Sequence, residues 1–155
     1  LSQMNKIACL LFILSINIYS GDSFKLWDRN IVFGSSIESF SEAFPEFSSN
    51  SELSTTEEKV MSYKITNDQS GDIREMNLNV HFQNNSLIKF FLHSNISDGS
   101  DQPLIDLIIK QFKYVPPKEK FDEDEMGDIV EEYKKGNLKA LAFIGGFYQL
   151  TIETR

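Results

Sequence analysis

The segment REMNLNVHFQNNSLIKFFLH, residues 74–93, constrains the fold more than any other part of this chain. Met76, Leu78, Val80 and Phe82 alternate with Asn77, Asn79 and His81. That period of two puts one apolar row and one polar row on a strand. A second apolar run follows two asparagines, so the pair predicts a β-hairpin with one buried face. Two registers compete. A two-residue turn over Asn84 and Asn85 sets Phe82 opposite Leu87 and leaves Lys89 on the apolar face. A three-residue turn over Asn84, Asn85 and Ser86 sets Phe82 opposite Ile88, Val80 opposite Phe90 and Leu78 opposite Leu92. The second gathers every large apolar residue except Leu87 and Phe91 on one side, and it is the register expected. It pairs His81 with Lys89 and Asn77 with His93 on the polar face.

Other elements follow from their own punctuation. NIVFGSS reads as a short strand and a turn at Gly34. A helix then opens with Ser35 and Glu38 as a capping box, carries Ile37, Phe40 and Phe44 on one stripe, and stops at Pro45. The stretch FGSSIESFSEAFPEF resembles the opening helix of small β-lactamase-inhibitor-like and outer-membrane-assembly lipoprotein domains, in a cap-and-stripe pattern that assigns no family. VMSYKIT alternates through Met61, Tyr63 and Ile65 as a strand, and NDQSGD turns back. Ser100 or Asp101 caps a second helix whose stripe is Leu104, Ile105, Ile108, Ile109 and Phe112. KALAFIG and FYQLTIE are apolar runs meeting at Gly145 and Gly146, a hairpin signal.

The densest charge lies in FDEDEMGDIVEEYKKG, residues 121–136. As an EF-hand loop from Asp122 it supplies Asp124, Gly127 and Ile129 where needed, but Met126 and Tyr133 stand where oxygen ligands belong. The pattern fits a third helix better. Asp122 caps it, Glu125 completes the box, and Met126, Ile129, Val130 and Tyr133 form an apolar stripe. Lys134 and Lys135 suit the negative end, and Gly136 takes the C′ position.

These elements predict an α+β domain with the order β-α-β-β-β-α-α-β-β. A single antiparallel sheet of five to six strands would carry three helices packed mainly on one face.

Residues 1–20 read as a cleaved signal peptide, with Met4 the initiator, Lys6 in the n-region, an apolar run from Ile7 to Ile18, and cleavage between Ser20 and Gly21. The run is too short to span a bilayer core of ~30 Å as a helix. Residues 21–155 then form one domain without cysteine, because Cys9 is the sole cysteine. Disulfides, a thiol nucleophile and cysteine-bound zinc are excluded from it. An exported domain without cysteine suits a bacterial periplasm or the extracellular space.

The whole chain has a net charge of −8, and removal of Lys6 with the leader makes it −9. Nucleic acid and anionic membranes are therefore disfavoured as partners. No HExxH, GxSxG or phosphate loop is present, and FIGGF is a turn. His81 and His93 fall about 13 Å apart at ~3.3 Å per residue, too far to share a metal. No enzyme activity, metal or cofactor is expected.

Two binding functions remain. The first is a periplasmic immunity-type inhibitor that presents Asp122, Glu123, Asp124, Glu125, Asp128, Glu131 and Glu132 on the third helix to a basic protein. The second is an envelope accessory or small-ligand-binding domain that uses the sheet face around His81, Phe91 and His93.

Overall fold

The computed structural model describes residues 22–69, 72–94, 102–118, 129–144 and 147–155. The expected leader, the acidic run 122–128 and the Gly145–Gly146 turn lie outside them. Among the described residues the chain forms ten strands and two helices. The strands are β1 (Ser23–Leu26), β2 (Arg29–Val32), β3 (Ser48–Ser49), β4 (Glu58–Gln69), β5 (Asp72–Gln83), β6 (Ser86–Ser94), β7 (Lys113–Val115), β8 (Ile129–Lys135), β9 (Leu138–Ile144) and β10 (Tyr148–Thr154). The helices are α1 (Ile37–Ala43) and α2 (Gln102–Ile109).

One large sheet holds eight strands in the order β3-β4-β5-β6-β10-β9-β8-β7, and β1 and β2 form a separate hairpin. All pairings in both sheets are antiparallel. This overturns the expected five to six strands beneath three helices. The main error is the third helix: Ile129–Lys135 is β8, paired along its length with β9. IVEEYKK shows no strict apolar–polar alternation, and only Ile129, Val130 and Tyr133 are β-formers, so the strand is settled by its pairing with β9 rather than by its own pattern. Gly136 misled for a physical reason. Its φ of 58° is the left-handed conformation that both a helix C′ residue and a tight hairpin turn require.

The β5–β6 hairpin reconciles the two registers. Asn84 and Asn85 have φ of 51° and 56°, as a two-residue type I′ turn demands, and Phe82 pairs with Leu87. The register then shifts between His81 and Phe82, so that His81 faces Lys89, Val80 faces Phe90 and Leu78 faces Leu92. A bulge absorbs one residue and lets turn chemistry and hydrophobic pattern both prevail. Leu87, expected to face away, is buried in the core. Its backbone bonds to Gly34 and Ser35, each at 2.9 Å, tying the end of β2 to the sheet.

The core lies on one face. Met76, Leu78, Val80, Phe90, Leu92, Ala140, Ala142, Leu150 and Ile152 pack there against Phe24, Leu26 and Ile31 of the β1–β2 hairpin, Phe40 of α1 with Phe44 at its C-cap, and Ile105 and Ile108 of α2 with Phe112 just beyond its end. Phe24 meets Phe90 edge-on at 5.2 Å. The N-terminal β1–β2 hairpin thus covers this face. The α1 cap is Ser36 rather than Ser35, with Ser36 Oγ accepting from Ser39 N at 3.1 Å. Ser35 Oγ instead donates to Val32 O. No helix among the described residues is long and apolar enough to cross a membrane.

Candidate functional site: the open sheet face

Alternation along the strands aims a second set of side chains away from the core, onto a face where no described helix or strand packs. The registers order this face into rows. One row runs Lys64, Asn77, His93, Gln149, Phe143, Val130, and the next runs Ser62, Asn79, Phe91, Thr151, Leu141, Glu132, Val115. A third row continues past His81 through Lys89, Glu153, Lys139, Lys134 and Lys113. Among the described residues only one corner is covered. There Asn50 donates from Nδ2 to Ser62 Oγ, which donates to Asn79 Oδ1, and Val60 is buried.

The first two rows hold an aromatic cluster. His93 lies parallel to Phe91 at 6.3 Å and 5.3 Å from Phe147, which stacks on Phe143 at 4.9 Å. Phe147 is 37 % exposed and Val130 is 57 % exposed, and Phe91, His93 and Phe143 are half-buried. An apolar patch that remains in water beside polar amides is the composition of a contact surface.

The third row is charged against its own interest. Lys134 stands directly opposite both Lys139 and Lys113. Like charges in direct cross-strand register destabilise a sheet, by about 0.2–1 kcal/mol for each pair. Glu132 approaches Lys134 at 3.7 Å and Glu153 sits between Lys89 and Lys139, so relief is partial. On a chain of net charge −8, the open face sets Lys64, Lys89, Lys113, Lys134 and Lys139 against Glu58, Glu75, Glu132 and Glu153. Among the described side chains this face is thus not acidic.

Of the residues expected to bind a basic partner, Asp122, Glu123, Asp124, Glu125 and Asp128 lie outside the described residues. Glu131 and Glu132 project to opposite faces of β8, as neighbours on a strand must. Glu131 accepts a hydrogen bond from the Tyr133 hydroxyl on the covered side. Of the alternative site, Phe91 and His93 come together. His81 does not join them; it pairs through Nδ1 with Glu58 and is largely enclosed. Phe143, Phe147 and the lysine row were missed because they come from segments far apart in sequence. The available signal was the alternation of β9 and β10, but Lys134 reaches the row only once β8 is a strand.

Burial and the Glu131 bond together push the Tyr133 hydroxyl from its ordinary 10.0 up to about 12. A raised acid stabilises the fold while the unfolded phenol is still protonated, and that contribution is lost as pH climbs towards the folded value. Stability should therefore fall between pH 10 and about 12, and Tyr133→Phe should flatten that part of the curve. Alkaline urea titrations would check this; an unchanged slope in the variant would refute it.

A cleft of about 400 Å³ lies between β2, α1 and the Asn85 turn. Three of its polar side chains are engaged within the fold: Asn85 Oδ1 accepts from Ile37 N, Ser36 caps α1 and Ser35 Oγ donates to Val32 O. Among the described residues no three His, Cys, Asp or Glu side chains cluster as metal ligands. No protein-family model, curated protein or solved structure matches this chain.

Proposed function

We propose that this chain is a non-catalytic binding protein whose contact surface is the open sheet face. Its partner is a protein segment that offers carboxylates to Lys89, Lys139, Lys134 and Lys113 and apolar side chains to Phe91, His93, Phe143 and Phe147. The reading rests on the lysines placed directly opposite one another on neighbouring strands. Such a row costs folding energy and gains a role only when an anionic group lies across it. The aromatic cluster alongside supplies desolvated anchoring area of the kind that dominates interface energetics. Export of the chain, suggested by the apolar run from Ile7 to Ile18, would place this partner outside the cytoplasm. An acidic partner is the reverse of the basic one expected from a helix over 122–135, because the described half of that segment is a strand with its acids divided between two faces.

The test uses a random glutamate–tyrosine copolymer as probe, at low and moderate salt. Wild-type protein should bind it, more weakly as salt screens the charges. The double variant Lys134→Glu/Lys139→Glu should lose about tenfold or more, since ~1.4 kcal/mol is one decade. Phe147→Ala should weaken binding to this copolymer but not to polyglutamate, which has no rings to stack. Equal binding by the charge-reversed protein, or none by wild type, would sink the proposal.

A further inference from the structure

The long hairpin β4–β5 outruns the sheet that carries it. Among the described residues β5 meets β6 only from Met76 onward, so there the pairs from Thr66–Glu75 to Gln69–Asp72 form a ribbon of two strands. Such a ribbon is marginally stable alone in water. β3 covers the outer edge of β4 at Met61 and Ser62 only, and no strand among the described residues pairs with that edge beyond them.

The direction of the free backbone groups can be read from Val60. Its C=O accepts from Asn50 N at 2.8 Å and its N–H donates to Ser54 Oγ at 3.0 Å, so its groups point outward from β5. Antiparallel alternation repeats this every second residue. Ser62 faces β3, and the N–H and C=O groups of residues 64, 66 and 68 point outward with no strand among the described residues to meet them.

These groups are complementary to themselves. If two copies approach about a two-fold axis at Thr66, residue 66 faces 66 and residue 64 faces 68 of the other copy. All the outward groups then pair, making roughly six interchain hydrogen bonds in an antiparallel ladder. The same register sets Thr66 opposite Thr66 on the two-fold axis, and threonine opposite threonine across a ladder is a favourable cross-strand pair. Beside the edge, Trp27 is 43 % exposed and lies edge-on to Tyr63 at 6.1 Å.

We infer that a second copy of this chain docks along the free edge of β4, joining the two large sheets through an isologous Thr66-centred pairing. Closed two-fold pairing also removes an exposed edge that would otherwise recruit chains without limit. The inference is independent of the open-face reading, since it uses the edge rather than the face.

Sedimentation of wild-type protein over a wide concentration range should show a monomer–dimer equilibrium. Trp27, the only tryptophan, should report it as a concentration-dependent shift in fluorescence. Thr66→Pro is the decisive variant. Proline is tolerated on an edge strand where its missing N–H would face solvent, so the monomer should keep its circular dichroism and its copolymer binding while the dimer is lost. Hydrogen exchange on wild type needs no variant: the amides of residues 64 and 66 should gain protection as concentration rises, while those of 63 and 65, which face β5, are protected throughout. A wild-type monomer at every concentration, free exchange at 64 and 66, or an undiminished dimer in Thr66→Pro would each overturn the inference.

Discussion

Phe90→Ala should lower the unfolding free energy by about 4 kcal/mol, within the 3–5 typical of a large aromatic removed from a core. Phe90 is fully buried on β6, one of the middle strands of the large sheet. Its cross-strand partners are Val80 and Ile152, and its ring meets Phe24 edge-on at 5.2 Å. The ring thus joins three units of the fold: β5, β10 and the separate β1–β2 hairpin. Truncation leaves a void bounded by sheet backbone, which cannot collapse as a loop would. Because domains of this size are stable by only about 5–15 kcal/mol, the variant should lose roughly a quarter or more of its stability. Urea denaturation would show a lower midpoint with an unchanged slope. Phe91→Ala is the internal control. Its side chain lies half-buried on the open face, so its truncation should cost about 1 kcal/mol, near the centre of the distribution for point variants. A larger cost at Phe91 than at Phe90 would mean that the two faces have been assigned the wrong way round.

The second large effect is at Arg29, where β2 begins. Its Nη1 donates to Ala43 O at 2.8 Å and to Glu46 Oε2 at 2.9 Å, and its Nη2 donates to Glu46 Oε1. The guanidinium also lies 4.5 Å above the Phe44 ring and 5.4 Å from the Trp27 ring. One side chain thereby closes an orphan carbonyl at the end of α1, forks onto a carboxylate and stacks on two rings. The pair is about one-third exposed on the arginine side, so solvent screening reduces what the geometry could deliver. Arg29→Ala should cost about 2 kcal/mol, the scale of a charge-assisted hydrogen bond together with lost stacking. Arg29→Lys should recover little, because an ammonium cannot reproduce the fork.

The same pair carries a pH signature. The Arg29 hydrogen bond holds the Glu46 carboxyl below its ordinary 4.5. A depressed carboxyl contributes stability above its unfolded value, and that contribution is lost as pH falls through the lower folded value. Wild type should lose part of its stability below pH 4.5, and Arg29→Ala should lack that part. Parallel acid slopes in the two proteins would show that the pair carries none of the dependence.

How far local sequence reaches is visible by comparing three segments. α2 was legible because Ile105 and Ile108 recur at a spacing that a helix places on one side, and both are buried, while Phe112, expected on the same stripe, is buried just past the helix end. The β9–β10 hairpin was legible because two apolar runs lie close in sequence, and the observed pairing from Leu138–Thr154 to Ile144–Tyr148 needs no distant partner. The segment 129–135 was not legible. Its apolar spacing suits a helix, it shows no strict alternation for a strand, and its closing glycine serves either. The edge of β9 decides between them by offering a full ladder of hydrogen bonds over seven residues. The β1 strand was missed because four residues carry too short an alternation to register.

The sequence alone determined which residues leave water: alternation in β4, β5 and β6 and the stripes of the two helices are periodic properties of a single segment, and burial follows from them. The two-residue turn at Asn84 and Asn85, whose left-handed backbone those residues tolerate, replaces the expected three-residue turn, which hydrophobic pattern alone had favoured. Only the tertiary structure decided that eight strands share one sheet, that Leu87 turns inward across a bulge, and that Lys113, Lys134 and Lys139 stand side by side. Cross-strand neighbours are set by register between segments that share no local signal, so the lysine row exists only once the ladders have formed.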